Sequence, residues 1–131
     1  MNKNFILADS VGIQVENNYY DLHNCFDLVG LEVDFIFNKV RVRFMPNDKE
    51  CSKDGDLTIS FSGVDYLDVS PGVLKNMVRD VAEVGYKNPE DFDHDWLLAE
   101  DRMNKADHLF FRMAGDEYIR VHGDSAKLGK V

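Results

Sequence analysis

The densest group of polar side chains in this sequence is the segment Glu90–Asp101, EDFDHDWLLAED. It contains six carboxylates and His94 but no Lys or Arg. Carboxylates at this density attract cations, either a metal ion or the Lys and Arg side chains of another protein. The remaining interpretation is a solvated acidic loop that binds nothing.

A calcium loop of the EF-hand type is the most specific of these options. Asp91, Asp93 and Asp95 have the spacing of the first three ligands of such a loop. Trp96, however, stands where the loop needs glycine, and Arg102 stands where it needs a bidentate Glu. The segment is therefore not an EF-hand. A surface on which Trp96 provides contact area and the carboxylates steer a basic partner is a further interpretation.

A second arrangement that could do chemistry is the pair His108 and His122. A hairpin with a three-residue loop at 114–116 places the two imidazoles opposite each other on one sheet face. Two neighbouring imidazoles can share a zinc ion, for which His94 or Asp107 would be a further ligand. The alternative is that they are ordinary surface or interface histidines.

The same face of this hairpin carries Phe110, Arg112, Tyr118 and Arg120. Aromatic and Arg side chains together are enriched in protein interfaces. On an acidic protein such a face suits either self-association against its own acidic loop or a protein partner. The alternative is that these long side chains only cover the back of the sheet.

Local signatures of enzymes are missing from the sequence. It has no Gly-rich phosphate loop, no GxSxG, no HExxH and no CxxC pair. His23 and Cys25 have the spacing of a base beside a thiol, but no orienting acid is near, and we interpret them as a loop histidine and a packed cysteine. We assign no catalytic residue and no cofactor, and a small metal-dependent or carboxylate-based enzyme stays as an alternative.

One stretch of the chain has the start, the stop and the periodicity of a helix. Ser70 can cap the N-terminus, Pro71 suits the first turn, and Gly85 suits the residue after the last turn. Apolar residues between them recur at helical spacing, including Val73, Leu74, Met77, Val78, Val81, Ala82 and Val84. We expect the principal helix at about 71–84, with one face covered by a sheet.

Most of the remaining chain predicts strands. Alternating apolar residues from Val29 to Phe37 predict a half-buried strand, and a two-residue turn at 38–39 would pair Asp34 with Arg43. The second hairpin, 108–113 with 117–122, is expected to place Leu109 opposite Val121, Phe111 opposite Ile119, Phe110 opposite Arg120 and Arg112 opposite Tyr118. Residues 123–131 are expected to form a frayed tail.

Composition limits the partners and the compartment. The chain of 131 residues has a formal net charge of −9, which disfavours nucleic acid and anionic lipid and favours a basic partner. It contains no apolar run of membrane-spanning length, and its first residues do not have the pattern of a secretory signal. We expect a cytoplasmic protein in which Cys25 and Cys51 are reduced.

These observations favour one domain over residues 1–131, of the α+β class. We expect a twisted, mainly antiparallel sheet of about six strands with the 71–84 helix on one face, and a β-sandwich with one appended helix as the alternative. The pattern LTISFSGVDYLDV leading into one helix, within Leu31–Val84 of an acidic chain, resembles small bacterial immunity-type proteins that neutralise toxin domains. That resemblance implies stoichiometric, non-catalytic protein binding and assigns no individual residue.

The function predicted from the sequence is therefore non-catalytic binding of a basic protein. A structural homo-oligomer, such as a homodimer, is a further alternative, and we expect no nucleic acid and no membrane partner. The residues expected to bind the partner are Glu90, Asp91, Asp93, Asp95, Trp96, Phe110, Arg112, Tyr118 and Arg120.

Overall fold

The computed structural model describes residues 1–47, 51, 55–75 and 79–130. Strands dominate the fold, and the helical elements of the described residues are three-residue 3-10 turns at Val73–Lys75, Glu100–Arg102 and Ala114–Asp116. The strands are β1 (Asn2–Lys3), β2 (Ile6–Leu7), β3 (Gly12–Val15), β4 (Asn18–Asp21), β5 (Phe26–Asp34), β6 (Lys39–Pro46), β7 (Leu57–Ser62), β8 (Tyr66–Val69), β9 (Val81–Lys87), β10 (His108–Met113), β11 (Tyr118–His122) and β12 (Ser125–Lys130). No helix among these residues is long and apolar enough to cross a bilayer.

The strands form three sheets. The first sheet has five strands in the order β1-β12-β7-β6-β5, the second has four in the order β8-β11-β10-β9, and the third has three in the order β2-β3-β4. Neighbouring strands are antiparallel except β1 and β12, which run parallel. The prediction of an α+β fold with a six-stranded sheet and a principal helix is therefore wrong. The alternative, a β-sandwich with one appended helix, is wrong in expecting that helix.

Among the described residues, a hydrophobic core joins the inner faces of the three sheets. The first sheet contributes alternate residues such as Val42 and Ile59, and the second contributes Leu109 and Phe111, all fully buried. The Phe44 and Phe111 rings meet across the two sheets with centroids 5.9 Å apart. This packing leaves the opposite face of the second sheet for the candidate site.

The predicted helix at 71–84 is wrong. Ser70 is buried and its hydroxyl accepts from the Tyr118 backbone N–H at 2.8 Å, so it joins β8 to β11 rather than capping a helix. Residues 76–78 lie outside the described residues, and the chain from Val81 onwards is strand β9. The Val-rich composition of this stretch suits a strand paired with β10.

A β-bulge explains why the apolar spacing in β9 resembled that of a helix. Arg112 of β10 pairs with Glu83, but Met113 pairs with Val81, so β9 has one more residue than β10 at this point. The extra residue shifts the side-chain alternation by one, and Val81 and Val84 both become buried although they are three residues apart. A bulged strand therefore reproduced helical spacing.

The first hairpin forms in a different register from the predicted one. Asp34 pairs with Lys39 instead of Arg43, and residues 35–38 form a four-residue loop instead of a two-residue turn. The Asp34 carboxylate accepts from the backbone N–H groups of Ile36 and Phe37 at 2.9 and 3.1 Å, which stabilises this loop. By contrast, the predicted register of the second hairpin is confirmed at all four pairs.

Two further predictions are wrong, one for the cysteines and one for residues 123–131. Cys25 and Cys51 are joined by a disulfide with their Cα atoms 5.5 Å apart, so the expectation of reduced thiols is wrong for this structure. Residues Ser125–Lys130 are not frayed, because they form β12 between β1 and β7.

Candidate functional site

Three cations on neighbouring strands hold the beginning of the acidic segment, Glu90–Asp101, against the outer face of the second sheet. Lys87 of β9 contacts the Asp91 carboxylate at 3.1 Å. Arg112 of β10 donates from Nη2 to the carbonyl of His94. Arg120 of β11 donates from Nη1 to the carbonyl of Asp91 at 2.8 Å. The segment is thus docked by side chains from three strands of the second sheet, at successive cross-strand positions of one face.

Arg120 is the centre of this docking. Its side chain is fully buried, and its Nη2 also donates to the carbonyl of Asn88 at 3.0 Å. Its guanidinium lies near the rings of Tyr66 and Phe92, 5.3 and 5.5 Å from their centroids. Within the described residues its hydrogen-bond acceptors are neutral groups. For a buried cation this is a costly arrangement that depends on every bond being made.

His108 is one of those neutral acceptors. Arg120 Nε donates to His108 Nδ1 at 2.9 Å, so the proton of this imidazole is on Nε2. Burial, together with the nearby charge of Arg120, lowers the pKa of His108 to about 4. His108 is therefore neutral at neutral pH, as its bond with Arg120 requires.

His94 brings the acidic segment into contact with the aromatic part of the sheet. Its ring centroid lies 5.0 Å from that of Phe110 and 4.4 Å from that of Tyr118. Its Nε2 is 3.5 Å from Arg120 Nη1, and burial and this cation lower the pKa of His94. Tyr118 in turn donates to the Asp68 carboxylate at 2.9 Å, and burial and this bond raise its pKa to about 12.

The end of the acidic segment joins the edge of the second sheet. Leu98 and Tyr86 of β9 exchange backbone hydrogen bonds of 2.9 and 2.8 Å. A Cβ on Gly85 would lie 2.5 Å from the Cβ of Leu97, so only glycine allows the segment to cross here. Gly85, predicted as the residue after a helix, is instead a position of close backbone approach.

The docked segment displays aromatic and acidic side chains to solvent. Phe92 is 68% exposed and Trp96 is 56% exposed. Asp93 caps the backbone N–H of Asp95 at 2.9 Å, whereas no hydrogen bond of the Glu90 or Asp95 carboxylates is found among the described residues. A firmly held backbone that presents two aromatic rings among free carboxylates suits recognition of a basic surface.

The predicted partner-binding residues therefore separate into two groups. Glu90, Asp93, Asp95 and Trp96 are exposed, but Phe110 and Arg120 are fully buried beneath the segment. Arg112 and Tyr118 are half-buried, and Asp91 is occupied by Lys87. The buried members support the surface from below and do not reach solvent in this structure.

The structure brings the three histidines of the zinc prediction into one cluster. The rings of His108 and His122 are 5.3 Å apart, but His108 Nδ1 accepts from Arg120, and His122 Nδ1 lies 2.7 Å from the carboxylate of Asp65. His94 also faces Arg120. Within the described residues no three His, Cys, Asp or Glu side chains are placed to hold a metal ion, so the zinc prediction gains no support.

Sequence reasoning missed an apolar surface at the tip of the first hairpin. Phe35, Ile36 and Phe37 are 88%, 84% and 69% exposed. The Asp34 bonds fix the turn, and Asn38 accepts from the Val64 backbone N–H at 2.9 Å. Three consecutive large apolar residues followed by Asn, a turn former, could have suggested a hairpin tip here. An exposed apolar run of this kind indicates a binding surface.

The chain was compared with protein-family models, with curated proteins and with solved structures, and none of them matches it.

Proposed function

We propose that this protein is a non-catalytic binding domain whose acidic segment, Glu90–Asp101, recognises a basic protein. The observation that carries the proposal is the docking of this segment by Lys87, Arg112 and Arg120 while Phe92 and Trp96 stay exposed. Fixing the backbone in advance lowers the entropic cost of binding.

Charge and chemistry agree with this choice of partner. The net charge of −9 steers a basic protein toward the domain, and the exposed carboxylates of Glu90 and Asp95 provide contacts at short range. The aromatic rings provide the contact area that interfaces concentrate in a few residues. Such binding would be the mode of an immunity-type inhibitor, which neutralises its target by stoichiometric contact.

The exposed hairpin tip offers a second contact for a protein partner. Burying Phe35, Ile36 and Phe37 would remove on the order of 400 Å² of apolar surface from water. Two separate exposed surfaces, one acidic and aromatic and one apolar, favour a protein over a small ligand, since small ligands bind in concave sites.

The test is capture of partners from native cell extract at low salt with the immobilised chain, followed by elution in a salt gradient. We expect one basic protein in a stoichiometric amount. Binding should be about tenfold weaker for Glu90→Lys/Asp95→Lys, because neither carboxylate makes a hydrogen bond within the part of the chain that the structure describes. The control, Glu16→Lys/Asp27→Lys, makes the same change in net charge on the turn between β3 and β4 and on β5, where it removes one hydrogen bond, from Asn47 to Asp27. Equal binding by both variants would reject the acidic segment as the site.

A further inference from the structure

The contacts between the acidic segment and the sheet contain a conflict that depends on protonation. Arg120 is fully buried, and its Nε–H donates a hydrogen bond that the Nδ1 of His108 must accept. A protonated His108 has an N–H at both ring nitrogens, so its Nδ1–H would point at the Arg120 N–H. The His94 imidazole faces the same guanidinium at 3.5 Å, and a second positive charge there would be repelled as well.

We propose that residues 88–96 form a lid that is docked on the second sheet at neutral pH and released when acidification protonates His108 and His94 against Arg120. The lid is attached to the sheet chiefly through Arg120, Arg112 and the Lys87–Asp91 pair. Release would uncover Phe110 and Arg120, which are the fully buried members of the predicted interface.

The surroundings of both histidines favour this direction. His108 is faced by Arg120 and His122 of β11, by Lys87 of β9 as its strand partner, by the Tyr66 ring of β8 with its centroid 4.3 Å away, and by the carboxylates of Asp65 and Asp107. Its pKa of about 4 shows that burial and the cations outweigh the carboxylates. The groups that face His94 are Arg120, Asp68, Lys87, Arg112 and Tyr118.

The expected size of the effect follows from proton linkage. A histidine that titrates near 4 in the docked state and at its ordinary 6.5 in the released state binds a proton on release. The docked-to-released ratio then falls by at most about tenfold for each pH unit within this range, or at most about 300-fold in total, because Arg120 is on the neighbouring strand and stays beside His108 after release. The ion pair between Lys87 and Asp91 should not weaken over the same pH range, because hydrogen bonds from the Asp93 backbone and from Lys87 lower the pKa of Asp91.

Trp96 is the single tryptophan of the chain and lies on the lid, with Lys87 Nζ 4.6 Å from its ring centroid. Its fluorescence and its quenching by acrylamide therefore report docking, and far-UV circular dichroism of the same samples reports the sheets. We expect a Trp96 transition between pH 6.5 and 4 while the strand signal is unchanged. A docked Trp96 throughout this range, or simultaneous loss of both signals, would overturn the proposal.

Two variants identify the titrating group. His108→Asn keeps an acceptor for Arg120 Nε but cannot be protonated, so its Trp96 transition should move to lower pH or disappear. The matched control is His23→Gln, because His23 contacts Asp80 at 2.7 Å and does not touch the lid. An unchanged transition in His108→Asn would refute the mechanism. If that variant does not fold, NMR titration of His108 in the unmodified protein provides the test. A measured pKa of His108 near 6.5 would also refute the mechanism.

Discussion

Removing the disulfide between Cys25 and Cys51 should lower stability by an amount that the structure allows us to calculate. The bond joins residues 26 positions apart, and thus links the start of β5 to the connection between β6 and β7. Cross-linking a loop of this length restricts the unfolded chain by about 3.5 kcal/mol. With about 2.1 cal/mol/K of unfolding entropy per residue, a chain of 131 residues should lose about 13 °C in melting temperature.

The assay is thermal unfolding followed by circular dichroism on oxidised protein, on protein reduced with a phosphine, and on Cys25→Ala/Cys51→Ala. Alkylation of the denatured, unreduced protein shows first that both thiols are blocked. Reduced protein and the double variant should melt at similar temperatures, and reductant should not affect the double variant. Melting of oxidised and reduced protein within about 3 °C of each other would refute the reasoning, since it corresponds to less than 1 kcal/mol.

Two further predictions concern buried polar groups. Arg120→Lys should cost about 2 kcal/mol of unfolding free energy and increase acrylamide quenching of Trp96, because one ammonium cannot replace the planar fork of donors. Glu100 accepts from Lys3 at 2.8 Å and from Tyr86 at 2.6 Å, and these bonds lower its pKa although burial opposes ionisation. The Glu100 carboxylate therefore stabilises the fold above pH 4.5, and this contribution is lost as the pH falls further. Urea unfolding of Glu100→Gln should show about 2 kcal/mol less stability at neutral pH and a weaker dependence of stability on acid.

The second hairpin was predictable because its information is local. Gly115 has a φ of 74°, which glycine adopts without strain, and the apolar residues on either side alternate in the same phase. A three-residue loop then allows only one register that gathers Leu109, Phe111, Ile119 and Val121 on the core face. The opposition of His108 and His122 followed from the same argument.

The errors come from one feature that depends on a distant strand and from one local side-chain interaction. The bulge opposite Arg112 and Met113 exists because β9 pairs with β10, and neither strand shows it alone. In the first hairpin, Asp34 stabilises a longer loop through its side chain, and this outweighed the predicted charge pairing with Arg43. Local spacing could not decide either case.

The candidate site was predictable in its parts but not in its assembly. The charge of the acidic segment and the aromatic and Arg residues of the second hairpin are both visible in the sequence. That Arg120 contacts Asn88 and Asp91 is a relation across about 30 positions, which no local pattern records. The same limit applies to Cys25 and Cys51, whose proximity depends on the folding of β5 and β6.

The position of β12 in the first sheet has a consequence for the order of folding. Asn4 and Leu128 exchange two hydrogen bonds, of 3.0 and 2.8 Å, across 124 positions of the chain. Because β12 lies between β1 and β7, the five-stranded sheet cannot be completed until Ser125–Lys130 has left the ribosome. During synthesis β1 and one edge of β7 therefore remain unpaired, and the nascent chain exposes strand edges on which chaperones act or aggregation begins.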